Sequence, residues 1–135
     1  MVLHLNIIGF SCIILSLLHL VFPGYFQWKQ ELKAVSLINR QLMYVHTFFI
    51  ALVIFLIGLL CLTSSTDLIK TPLGNRLALG LFTFWGTRLF FQFFVYSPRL
   101  WQGKRTETAV HILFSFMWTY FSIVFFAIYW GGRHV

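Results

Sequence analysis

Six side chains stand out against an otherwise apolar chain. Arg88 and Gln92 lie in "FWGTRLFFQFFVY", Arg40 lies in "INRQLMY", and His19, His46 and His111 each sit inside an apolar run. Arginine in the middle of a membrane helix costs about 2.5–3.5 kcal/mol on insertion scales, so something must hold the Arg88 charge. A guanidinium recruits oxyanions through its planar fork of donors. Arg88, with Gln92 beside it and Arg40 as a second charge, could hold a lipid phosphate, a carboxylate or a haem propionate. Otherwise Arg88 reaches toward the cytoplasm, bonds Gln92, serines and backbone carbonyls, or meets Glu107. Neutral imidazole is a ligand for zinc, copper, iron and haem. Two facing imidazoles among His19, His46 and His111 could ligate haem b from both sides. All three could bind a divalent metal with one position open. The carboxylates that often orient metal-bound histidines are missing from the apolar runs, so backbone carbonyls or water would replace them.

The spacing predicts that these groups share a layer. His19 comes four residues before Pro23, His46 and His111 come soon after their runs begin, and Gln92 comes four residues before Tyr96. If the runs alternate direction through a membrane, all four lie roughly 5–8 Å inside one leaflet. Arg88 follows one turn deeper than Gln92 on the same helical face. Polar and small residues also form stripes: Gly9, Cys12, Ser16 and His19; Asn39, Met43 and His46, with Thr47, Ala51 and Gly58 nearby; Trp85, Arg88 and Gln92; His111, Ser115, Trp118 and Ser122. Such faces turn toward protein because hydrocarbon cannot satisfy them. Trp85 and Trp118 lie too deep for an interfacial belt, so packing or a ligand must explain them.

The elements that position these residues follow from composition. The 135 residues are 59% hydrophobic and 10% charged, where soluble domains carry about 25% charge. The chain therefore belongs in a membrane. Four runs approach the roughly 20 apolar residues that a spanning helix needs: about 2–22, 42–62, 77–96 and 109–130. The expected fold is a single all-α transmembrane domain, an integral membrane four-helix bundle. Loop one, "PGYFQWKQELKAVSLINRQ", carries Trp28, Leu32, Val35 and Asn39 at 4-3-4 spacing, which fits either a short interfacial helix or an ordinary structured loop. No Lys or Arg precedes the first run and "LHLVFPGYF" has no small-x-small site, so that run reads as a mature helix and not a cleaved signal.

The net charge of +7 is placed between the apolar runs, which favours anionic lipid headgroups and not nucleic acid as partner. Lys29, Lys33, Arg40, Arg99, Lys104 and Arg105 fall on one side; Lys70, Arg76 and Arg133 fall on the other. The positive-inside rule then places loops one and three in the cytoplasm of a plasma (inner) membrane, with both termini outside. His4 and His134 share the outer side and read as solvated termini. Cys12 and Cys61 show no CxxC or zinc-ligand spacing. Serine-nucleophile, HExxH and phosphate-loop motifs are absent, as are paired carboxylates. Three functional readings remain. The first is a structural or accessory membrane component. The second is a haem or metal protein using His19, His46 and His111 with Arg88 as anion partner. The third is a lipid- or anion-binding carrier acting as an oligomer. Gly80, Gly86, Ala51 and Gly58 could support close helix contacts within the chain, in a homo-oligomer or with a membrane-protein partner.

Overall fold

The computed structural model describes residues 1–133; His134 lies outside them. Among the described residues every regular element is helical. In chain order these are α1 (Val2–Tyr25), a short α2 (Trp28–Glu31), α3 (Leu37–Thr63), a short α4 (Ser65–Lys70), α5 (Pro72–Phe94) and α6 (Arg105–Gly132). Helices α1, α3, α5 and α6 have 23 to 28 residues and are apolar enough to cross a membrane. At 1.5 Å per residue they run roughly 35–42 Å, longer than a hydrocarbon core of about 30 Å. The protein is an all-α membrane protein with four transmembrane-length helices, as its composition requires.

Most helix ends lie beyond the expected boundaries, because hydropathy reports the apolar slab and not the hydrogen-bond ladder. Helix α1 passes through Pro23 and ends at Tyr25. A proline this near the C-terminus removes one ladder bond and leaves the rest intact. Phe26 N–H still donates to Phe22 O (2.9 Å), and Gln27, at φ 52°, turns the chain out of the helix. Helix α5 begins five residues early, at Pro72. The Thr71 hydroxyl accepts from the Gly74 N–H (2.9 Å), and a proline in the first turn needs no backbone donor. It ends two residues early, at Phe94, where the N–H groups of Val95 and Tyr96 both reach the Phe91 carbonyl at 3.2 Å. Helix α6 gains the polar turn from Arg105. Loop one holds no single interfacial helix: α2 is followed by a 3₁₀ turn, Leu32–Ala34, and extended Val35 and Ser36, so Ile38 and Asn39 belong to α3.

The chain divides into two compact units, Val2–Ser65 and the part from Thr66 on. Each is built on a pair of packed helices: α1 on α3, and α5 on α6. In the first unit Gly9 lies against Gly58 while Ser16 lies against Ala51, so the helices run antiparallel. The contact is close: a methyl group placed on Gly58 would stand 2.9 Å from the Gly9 carbonyl oxygen and 3.2 Å from the Cys12 Cβ. Gly9, Cys12 and Ser16 of one stripe, and Ala51 and Gly58 of the other, are all buried. The Ser16 hydroxyl donates to the Ala51 carbonyl at 2.8 Å across this seam. Ser16→Ala is expected to lower stability in detergent by about 1 kcal/mol. Ser11→Ala should change little, because the Ser11 hydroxyl bonds only its own helix at Ile7; equal effects on thermal unfolding would contradict the seam.

The second unit is fastened differently. Asn75 Nδ2 donates to the Tyr129 carbonyl at 2.8 Å, joining the start of α5 to the end of α6. Further along, the Phe82 and Phe126 rings meet at 5.2 Å, and Trp85 and Trp118 stack at 5.0 Å with 11° between planes. The expected role of Gly80 and Gly86 as close-contact positions within the chain is not met. A Cβ at either would find nothing within 4 Å, because Gly80 is exposed and Gly86 half-exposed, while Ala78, Trp85 and Gln92 are the buried residues of this stretch.

Candidate functional site

The polar end of the second hairpin is built from three elements. Arg88 and Gln92 stand one turn apart on α5, which carries their side chains along one face. His111 stands six residues into α6, and the turn after Tyr96 brings Trp101 back over it. The Thr108 hydroxyl holds that turn by donating to the Trp101 carbonyl at 2.6 Å.

These groups form a directed chain. Arg88 Nη1 donates to Gln92 Oε1 at 3.2 Å, and Gln92 Nε2 lies 2.8 Å from His111 Nδ1. Arginine can only donate, so it takes the amide oxygen of Gln92 and leaves the amide NH₂ for the histidine. His111 Nδ1 therefore accepts, and the ring proton of the neutral form sits on Nε2. Gln92 is 7% exposed, the most enclosed of the three. The imidazole is held flat: Trp101 stacks on it at 3.8 Å with 10° between planes, and the Phe93 ring meets it edge-on at 6.0 Å.

The Arg88 charge is surrounded by neutral groups. Besides Gln92, the guanidinium lies 5.3 Å from the Tyr96 ring centroid and 5.1 Å from that of Trp118. Aromatic faces stabilise a cation by about 0.5–2 kcal/mol each, more when water is excluded. Helix α5 contains no Asp or Glu, and the acid of α6, Glu107, lies in its first turn. Trp85 and Trp118 are 1% and 3% exposed, and their indole Nε1 atoms are buried with no hydrogen-bond partner among the described residues.

The other expected site residues belong to the first unit. His19 Nδ1 lies 2.8 Å from the Leu15 carbonyl of its own helix, and its ring packs on Phe22 at 4.8 Å. His46 is exposed on α3, and Arg40 is half-buried near the start of that helix. No group of three or more His, Cys, Asp and Glu residues placed to hold a metal ion occurs among the described residues. Cys12 and Cys61 are buried free thiols.

Trp101 and Tyr96 cover His111 and Arg88, and rings so placed also suit a membrane interface. Their distance of a few residues from a helix end satisfies both patterns. Asn75 was missed altogether, although an amide in the first turn of an apolar helix marks a group that must find a partner. Comparison with protein families, curated proteins and solved structures finds no match for this chain.

Proposed function

We propose that the protein is a structural or accessory component of its membrane, and that Arg88, Gln92 and His111 form the clasp that fixes the second hairpin. The observation carrying this reading is the continuous chain from Arg88 through Gln92 to His111, which crosses from α5 to α6 with a donor facing an acceptor at each of its two links. A clasp needs groups turned toward each other, as these are. In this reading loops one and three face the cytoplasm of a plasma membrane, supported by their excess of Lys and Arg. Exposed residues such as Phe90, Phe94, Leu113 and Phe116 then meet lipid, a second copy or a membrane-protein partner.

A double-mutant cycle on the full chain in detergent tests the clasp. Gln92→Leu and His111→Phe are each expected to lower unfolding stability by about 1–2 kcal/mol, since the first leaves half-buried Arg88 and His111 unmatched and the second leaves buried Gln92 unmatched. The double variant should lose less than the two single losses added together, giving a coupling of about 1 kcal/mol, within the range measured between membrane helices. Strictly additive losses would show that the two side chains do not act together and would end this reading.

A further inference from the structure

The clasp leaves two buried indole N–H groups without an acceptor beside the half-buried Arg88 guanidinium. A guanidinium has five N–H donors, and Gln92 takes one from Arg88. Trp118 and Trp85 each add a buried indole N–H without an acceptor. The three side chains are contiguous. Trp118 has the guanidinium 5.1 Å from its ring centroid and stacks on Trp85 at 5.0 Å. A buried donor left unmatched costs about 1–3 kcal/mol, and a charge within an apolar segment costs more. Such a cluster lacks one thing, an acceptor-rich group of negative charge.

We propose that the second hairpin binds an oxyanion, a phosphate or carboxylate group, at Arg88, with the indole N–H groups of Trp118 and Trp85 as further donors. Arg88 is only half-buried, so the anion meets the guanidinium first. The polar edge of the membrane is within reach. Arg88 is six residues from the end of α5 at Phe94, roughly 9 Å, and an arginine side chain extends toward the interface. Lys104 and Arg105, at the same end of this hairpin, border a shallow groove with Gly103, Thr108, Ala109 and Ile112. Their charges raise the local concentration of anions. The group delivered can be the headgroup of an acidic phospholipid or a free anion from water, because both present the same oxygens.

The test uses the full-length protein in neutral detergent and in nanodiscs of phosphatidylcholine with or without phosphatidylglycerol. Tryptophan emission and melting temperature are followed against inorganic phosphate, acetate and the lipid fraction, at matched chloride. Wild type should show a saturable emission shift and a higher melting temperature with at least one of these. Saturation by phosphate or acetate identifies a free anion; saturation by phosphatidylglycerol alone identifies a lipid headgroup. Arg88→Gln should weaken binding at least tenfold, Arg88→Lys less, and Trp118→Phe about three- to tenfold while keeping the aromatic packing. If Arg88→Gln does not fold, Trp118→Phe carries the test. Equal response to phosphatidylcholine and phosphatidylglycerol with none to phosphate or acetate, or unchanged binding in folded Arg88→Gln and Trp118→Phe, overturns the proposal. The clasp is read from stability without added anion, so either idea can fail while the other stands.

Discussion

Gly58→Leu is expected to pry the first hairpin apart. The Gly58 Cα faces the main chain of α1, and even one added carbon would stand 2.9 Å from the Gly9 carbonyl oxygen. A carbonyl inside a helix cannot swing aside as a side chain can, so relief requires moving the whole helix. Separation would also break the Ser16–Ala51 hydrogen bond and uncover Cys12, Ile54 and Cys61, which are buried here. Overpacking alone costs about 1–3 kcal/mol, and with these losses the expected destabilisation is about 4 kcal/mol, read as a large fall in melting temperature in detergent. Gly80→Ala is the control. Its Cβ meets nothing within 4 Å, and it should stabilise the protein by about 0.5–1 kcal/mol through helix propensity. A Gly58→Leu protein that melts with the wild type would remove the close contact from the account of this fold.

Gly74→Val should be nearly as damaging, by another route. Here the obstacle is α4: an added Cβ would fall on the Asp67 carbonyl and 2.5 Å from the Leu68 Cα. Both are main-chain atoms of the short helix that folds back over the start of α5. Displacing it exposes Leu68, now 1% exposed, at about 2 kcal/mol. It also disturbs the Thr71 cap on Gly74, worth about 1 kcal/mol. The expected loss is about 3 kcal/mol, with faster proteolysis between Thr63 and Pro72. Unchanged cleavage and melting would show that α4 does not depend on this contact.

What the sequence revealed was the part governed by periodicity. The apolar runs located the four long helices, and the Gly9–Cys12–Ser16 and Ala51–Gly58 stripes met in one seam, because lipid turns such faces inward. The pairing of Arg88 with Gln92 was legible from one-turn spacing. The joining of Gln92 to His111 was legible only as a shared depth, since spacing gives height along a helix and not which neighbour stands opposite. The cover that Trp101 and Tyr96 give His111 and Arg88 was not legible, because a ring near a helix end suits a membrane interface and a folded-back turn equally well. Helix ends were the least legible: Pro23 and the turn starting at Arg105 obey backbone hydrogen bonding, to which hydropathy is blind. His19 and His46 show the limit on chemistry. Residue type alone does not say that one imidazole faces its own backbone carbonyl while the other lies exposed.

The parallel indoles of Trp85 and Trp118 have an optical consequence. Two like chromophores 5.0 Å apart share their excited states, so their near-ultraviolet transitions mix and their circular dichroism departs from the sum of two separate rings. The second hairpin thus carries its own spectroscopic gauge of closure, readable without any attached dye.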